Sequence, residues 1–315
     1  SWKEWVAVAS KKLESQIGKL GDPSSMSPRQ LKNFGYLKRL YKKFQFLSGE
    51  LDDGWVLEAD SLSMVLFKPI KVSRYSKSSL WKHTSRSLGM SATILGSNSL
   101  ALELGLHTWD VEFKELPSPF PIESRRVEYV PVASVTHKTK LDAYPKLATA
   151  IDGILKKHPT DKVLIHAVSY DLRNYLLDHL KPLSHGIISH NREDRARALE
   201  LFKSSRDPVA LLSPSMDRGV DLPGDLCRVI IVAKVPYPDL SSPQVSKRLY
   251  GYPDGNLWYA GRAIRKMIQM TGRANRSIDD WSVSYILDSQ FGQIVGRNGG
   301  LFPKWLKESV RSGSI

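Results

Sequence analysis

The run Gln269-Met270-Thr271-Gly272-Arg273-Ala274-Asn275-Arg276-Ser277 sets two arginines three residues apart, on one side of a helix or of its final turn. A guanidinium is always charged and offers a planar fork of donors that suits phosphate oxygens. Gly272 permits close backbone approach beside the pair. The plainer reading is a surface helix with solvated arginines, and the spacing alone does not choose. A second loop, Met216-Asp217-Arg218-Gly219-Val220-Asp221-Leu222-Pro223, precedes a strand-like run. Its plainer reading is a loop glycine with a turn-stabilising aspartate. Ser91-Ala92-Thr93 offers two hydroxyls within three residues, a pattern frequent by chance. Tyr170, Trp258 and Tyr259 read as exposed aromatics on which bases could stack.

These residues sit in a regular alternation of elements. The pattern predicts strands over 161–168, 186–189, 209–213, 228–233 and 282–287, and helices over 171–180, 192–203 and 260–270. Asn191 is the expected N-cap of the second helix, with Asp194 at a position where an acid is favoured. Strands alternating with helices imply βαβ units and a mostly parallel sheet covered on both faces. Ligands of such sheets bind at the carboxyl ends of the strands. That rule selects the loops after Val168, Ser213, Ala233 and Leu287, and the helix from Ala260 onward. His166, inside the first strand, reads as a core histidine.

Upstream the pattern differs. Residues 1–50 carry ten Lys/Arg against four Asp/Glu, and Leu31, Phe34, Leu37, Leu40, Tyr41 and Phe44 recur at helical spacing. With a turn at Gly21-Asp22-Pro23-Ser24-Ser25 they predict a helical hairpin with basic outer faces. Residues 55–67 suggest one or two strands, and residues 80–95 another, ending in Gly89-Met90-Ser91-Ala92-Thr93-Ile94-Leu95. Leu116-Pro117-Ser118-Pro119-Phe120-Pro121 can be neither helix nor central strand and reads as an inter-domain linker.

In this order the motifs resemble those of superfamily 2 helicases. Q-x-x-G-R-x-x-R is similar to motif VI, which implies that Arg273 and Arg276 reach the nucleotide γ-phosphate on a partner RecA-like domain and that Gln269 senses the nucleotide. Arg-Gly-Val-Asp before Leu-Pro resembles motif V, so Gly219 and Asp221 would couple nucleotide and nucleic-acid contacts. Ser91-Ala92-Thr93 resembles motif III. Its placement before Ser118-Pro119-Phe120-Pro121 is similar to the XPD/DinG-like branch. Val163 to Tyr170 resembles motif IV, which implies that Ser169 and Tyr170 face nucleic acid; packing of Tyr170 on its own domain is the alternative. Arg218 and Trp258 complete the expected nucleic-acid contacts. The resemblance covers residues 80–290, and in that branch a helical Arch insertion precedes motif III, so residues 1–50 correspond to its returning half.

Departures from the branch are visible. Arg218 stands where the branch usually has Glu, Ala274-Asn275 precedes Arg276 in place of an aliphatic pair, and Gln290 replaces a frequent basic residue. They suggest a divergent member. No G-x-x-x-x-G-K-[ST] loop and no Asp-Glu-x-His box occurs in the chain. The resemblance places both, and the iron–sulfur cysteines of the branch, upstream of Ser1. The start Ser1-Trp2-Lys3-Glu4-Trp5 lacks Met and reads as a cut inside a longer protein.

Composition agrees with a nucleic-acid partner. Lys plus Arg number 46 against 32 Asp plus Glu, a formal charge of +14, which attracts polyanions. Hydrophobic residues at 41% are enough for a sizeable core. The single cysteine, Cys227, excludes an internal disulfide and a cysteine-ligated cluster in this chain and reads as a buried thiol. No signal peptide or membrane-length apolar run is present.

The expected fold is α/β, a RecA-like parallel sheet with helices on both faces, plus an N-terminal helical insertion. Residues 1–50 form the insertion remnant, 51–119 the last strands of a first RecA-like domain with the linker, and 120–315 the second RecA-like domain. The resemblance implies an ATP-dependent helicase translocating on single-stranded DNA, with ATP and Mg²⁺ held mainly by an upstream RecA-like domain of the same protein. It implies a cytoplasmic or, in a eukaryote, nuclear location, no membrane partner, and no ATPase from the chain alone. A DEAH-like RNA helicase domain and a non-catalytic nucleic-acid-binding module on the same scaffold are the alternatives.

Overall fold

Ser1 opens the first helix with a capping box: its hydroxyl accepts the Glu4 N–H at 3.3 Å while the Glu4 carboxylate turns back to the chain terminus. Ser27 and Gln30 repeat the device before Pro28, with Gln30 Oε1 accepting the Ser27 N–H at 2.9 Å. The helices so started, α1 (Trp2–Lys19) and α2 (Pro28–Glu50), form the expected hairpin. Val6, Ser10 and Phe34 are buried in it, and the Trp5 and Phe44 rings lie 5.8 Å apart. Strands β1 (Trp55–Ser61) and β2 (Met64–Pro69) pair antiparallel. Lys68 bonds to Glu58 on the ribbon, and the Ser242 hydroxyl donates to Glu58 at 3.2 Å. These parts, Ser1–Val72 with Leu240–Arg248, make one compact unit; Ser73–Asp239 with Leu249–Ile315 make the other. The computed structural model describes residues 1–61, 64–182, 184–216, 220–272 and 278–313.

The second unit is built on β3 (Arg125–Ala133), β4 (Val163–His166), β5 (Gly186–Ser189), β6 (Val209–Ser213), β7 (Val229–Val232), β8 (Ser282–Asp288) and β9 (Val310–Ser312). They form one sheet in the order β5-β6-β4-β7-β8-β3-β9, every neighbour parallel. The remaining helices of the chain are the short α3 (Ser76–Ser79) and α4 (Ser97–Leu104), then α5 (Lys140–Lys157), α6 (Tyr170–His179), α7 (Arg195–Ser204), α8 (Pro243–Tyr250), α9 (Gly255–Thr271), α10 (Gln290–Asn298) and α11 (Lys304–Ser309).

Alternation places the core on both faces of the sheet. Val163, Ile165, Ala210, Leu212, Val229 and Ile231 point to the side covered by Leu147, Ile151 and Ile154 of α5 and Leu172 and Leu176 of α6. Leu164, Leu211, Ile230 and Val232 point to the side of Phe202, Ala263, Ile264, Met267 and Leu306, from α7, α9 and α11. Parallel strands buried on both faces read as unbroken apolar runs, as these do. The expected α/β class with helices on both faces is the one found.

Three local expectations fail. Residues 80–95 form no strand: Thr84 to Ser91 is irregular and exposed, Leu88 and Met90 included, and pairs with no neighbouring strand among the described residues. The N-cap of α7 is Asp194, not Asn191; the Asp194 carboxylate accepts the Asn191 N–H at 2.6 Å and pulls the start inward. Tyr259 is not free to stack on a ligand, since its ring lies 5.1 Å from that of Tyr237 and its hydroxyl donates to the Pro238 carbonyl. Among the described residues no helix is long and apolar enough to cross a membrane.

Candidate functional site

Segment 73–120 is anchored at four points along its length. Leu95 is buried in the core against α9, beside Gly261. Glu103 pairs with Arg265 of α9 at 2.9 Å. Gly105, at φ +66°, ends α4 where a Cβ would lie 2.4 Å from the Ser73 carbonyl oxygen, so only glycine fits the turn. Further on, Arg125 bonds to the Phe120 carbonyl at 3.0 Å and to the Trp305 carbonyl and Ser309 hydroxyl, fixing the proline-rich segment to α11.

Between this segment and the last turn of α9 lies a cleft of about 2250 Å³. Five of the sequence-selected residues line it: Ser91, Thr93, Asp221, Gln269 and Gly272. They come from three loops or helix ends spread over 181 positions (272 − 91), so their meeting is a product of the fold. Thr93 donates its N–H to the Ser91 hydroxyl at 3.1 Å, and the two hydroxyls lie 3.0 Å apart. Gly272 donates to the Ile268 carbonyl at 3.1 Å and closes α9. The Gln269 carboxamide oxygen is buried and makes no hydrogen bond among the described residues. A buried acceptor without a partner costs about 1–3 kcal/mol, a cost that a ligand donor would remove.

The neighbouring strand ends are held by two polar devices. Asp288, fully buried at the end of β8, accepts N–H groups from Val135 at 3.1 Å, Gln290 at 3.0 Å and Val235 at 2.9 Å. Burial pushes its carboxyl above the ordinary aspartate range against the pull of these donors. At the end of β6 the Ser213 hydroxyl accepts the Met216 N–H at 2.9 Å and lies 2.8 Å from His190 Nε2. His190 Nδ1 faces the Asn191 carbonyl at 2.8 Å, so Nδ1 carries the proton and Nε2 accepts from Ser213. This fixes the start of the loop that leads to Asp221.

Ser169 and Tyr170 lie at the end of β4, apart from the cleft. Val168 holds φ at 67°, an unfavourable value for a β-branched residue, and this turn aims the next two side chains. Ser169 caps α6 by accepting the Leu172 N–H at 3.3 Å. Tyr170 is partly exposed, and the Arg173 guanidinium lies 5.5 Å from its ring centre. Arg173 is itself buried and donates to the Asn191 carboxamide at 2.7 Å. Trp258, half-buried in the second turn of α9, lies about 16 Å along that helix from Gln269. It is not among the residues lining the cleft.

Arg273, Arg276, Arg218 and Gly219 lie outside the described residues. Asp288, Arg173, His190 and Val168 were not singled out as site residues from the sequence. An aspartate closing an apolar strand is a signal that could have marked the first. Nothing in the types of the others announces them, because their roles rest on partners distant in sequence or on backbone conformation.

A family model described as the helicase C-terminal domain matches residues 151–309. The chain is 25% identical over 256 residues to the ATP-dependent DNA helicase DinG of Photobacterium profundum, covering 75% of this chain and 36% of that protein. It is 24% identical over 247 residues to the ATP-dependent DNA helicase YoaA of Haemophilus influenzae, covering 76% and 37%. The chain thus spans about a third of the length of these relatives. Among solved structures, "XPD_APO" is similar in fold, with a TM-score of 0.56 at 16% identity over 95% of this chain and 66% of that one.

Proposed function

This chain belongs to the helicase C-terminal domain family, in the XPD/DinG-like branch of superfamily 2, and from that premise we propose that it is the nucleotide-responsive second motor domain of an ATP-dependent DNA helicase. The observation that carries the proposal is the cleft on which Ser91, Thr93, Asp221, Gln269 and Gly272 converge. Arg273 follows Gly272 directly in the chain, and Arg276 comes three residues later.

In this reading ATP is held mainly by a phosphate-binding domain elsewhere in the whole protein. Closure of that domain on this one brings Arg273 and Arg276 to the γ-phosphate, where they stabilise charge developing in the transition state. The Gln269 carboxamide oxygen accepts a donor from the nucleotide or its water. Ser91 and Thr93 face the same space with hydroxyls. Gly219 and Asp221 relay closure to the loop after β6, whose start is set by Ser213. Ser169, Tyr170, Arg218 and Trp258 hold a single strand by phosphate contacts and stacking. A DNA partner implies a cytoplasmic location, or a nuclear one in a eukaryote.

Among the described residues no three His, Cys, Asp or Glu side chains are grouped to hold a metal ion. One cysteine likewise cannot ligate an iron–sulfur cluster. In this reading Mg²⁺, and any iron–sulfur cluster, is held mainly by other parts of the whole protein.

The test is ATPase of the whole protein with single-stranded DNA, single-stranded RNA or neither. Stimulation by DNA is expected. Stimulation by RNA alone would replace this reading with an RNA helicase, and no turnover with either polymer would leave a nucleic-acid-binding module.

A further inference from the structure

We infer that the outward face of α2 is a binding surface for single-stranded nucleic acid, carried by the unit that does not contain the parallel sheet. Arg29, Lys32, Tyr36, Arg39, Lys43 and Phe46 recur along α2 at intervals of three and four residues. At 3.6 residues per turn they fall within an arc of about 100°. The residues by which α2 packs on α1 lie elsewhere: Phe34 is buried, Tyr41 bonds to Glu14, and Phe44 meets Trp5. That packing face is centred about 150° from the stripe.

A repeat of three and four on a helix ordinarily marks an apolar seam facing a core. Here the seam positions hold four cations and two aromatics, and they face water. Arg29, Lys32, Arg39 and Lys43 are exposed, and none of them pairs with a carboxylate among the described residues. Tyr36 is 60% and Phe46 49% exposed, the latter held edge-on by the Trp55 ring. The stripe spans 18 residues, about 25 Å along the axis. At about 3.4 Å per stacked nucleotide that is the length of roughly seven nucleotides.

The chemistry selects the partner. Four unpaired cations in a row suit a polyanion of matching length. Tyr36 between them and Phe46 beyond them add exposed aromatic surface, which a duplex cannot use because its bases are already stacked. An anionic membrane would call for a continuous apolar stripe, and α2 has none on this side. Unstacked bases joined by phosphates satisfy both kinds of group. The inference stands on this unit's residues and does not need the helicase reading.

The experiment uses the 315-residue chain and a fluorescein-labelled oligothymidylate, with anisotropy titrations at several salt concentrations. Arg29→Gln/Lys32→Gln/Arg39→Gln/Lys43→Gln should reduce the slope of log K against log salt by roughly 3, at about 0.7 per phosphate. A control that removes equal charge from α1 and its end, Lys3→Gln/Lys11→Gln/Lys12→Gln/Lys19→Gln, should move it by less than about 1. Tyr36→Ala/Phe46→Ala should weaken oligothymidylate binding at least about tenfold, with the slope unchanged and duplex binding unaffected. Independently of any variant, ultraviolet cross-linking of the unaltered chain to iodouridine-substituted single strands should label the peptide containing Tyr36 or Phe46. Equal loss in the two quadruple variants, or no label on α2 while the sheet unit is labelled, would overturn the inference.

Discussion

Asp288 accepts the Val235 N–H at 2.9 Å across 53 positions of sequence, joining the end of β8 to the loop after β7. The same carboxylate accepts from Val135 beyond β3, so one side chain ties together three strand ends beside which ligands of parallel sheets bind. Asp288→Asn keeps the shape but turns an amide toward an N–H donor. The substitution should cost about 1–3 kcal/mol of stability, the range for leaving a buried group unsatisfied. Urea unfolding measures it, through a lower midpoint at unchanged slope. A change below about 0.5 kcal/mol would show that the three strand ends hold without the carboxylate.

A second consequence concerns pH. His158 lies between the Tyr285 hydroxyl at 2.9 Å and the Asp161 carboxylate at 3.2 Å. Burial holds its imidazole below the usual 6.5, outweighing the pull of Asp161. The unfolded chain therefore binds the proton more readily than the folded one. Stability from neutral His158 is complete above pH 6.5 and is lost as pH falls from there through the lowered folded value. Asp288 acts in the opposite sense over its own range, since its carboxyl is raised. Comparing His158→Gln with the unaltered chain isolates the histidine, and the variant should lose stability less steeply below pH 6.5. Parallel curves would remove His158 from the account.

Much of the sheet was legible because its strands are apolar on both faces: Val163-Leu164-Ile165, Val209 to Leu212 and Val229 to Val232 need no alternation to be seen. β3 escaped notice for the opposite reason. Arg125-Arg126-Val127-Glu128-Tyr129-Val130-Pro131 mixes charge and proline into a strand that has only short neighbours on one side. α5 carries Leu147, Ile151 and Ile154 at helical spacing, but Pro145 within it argues against a helix. Gln269, Gly272, Asp221, Ser91 and Thr93 were found through motif resemblance, and the fold brings them to one cleft. The latch at Asp288 and the turn at Val168 were not legible, because backbone donors and a dihedral angle leave no mark on residue type.

At the end of β4, Tyr170 offers the third prediction. Its ring is partly exposed beside Arg173, and stacking on a base is worth about 1–3 kcal/mol. In the whole protein Tyr170→Ala should weaken single-stranded DNA binding by about that amount without changing the salt slope. Anisotropy titration across salt concentrations separates the terms. A changed slope at constant high-salt affinity would mean that Tyr170 serves only to position Arg173.

The central claim is that Arg273 and Arg276 act in trans on ATP bound by another domain. The most direct measurement is DNA-stimulated ATPase of the whole protein carrying Arg273→Ala or Arg276→Ala, read beside DNA binding without nucleotide. Rates should fall by about 10³–10⁵, roughly 4–7 kcal/mol of barrier, with DNA binding nearly unchanged. A loss below about tenfold at both positions, against the 10³ expected of such arginines, would contradict the account and leave the pair as surface residues.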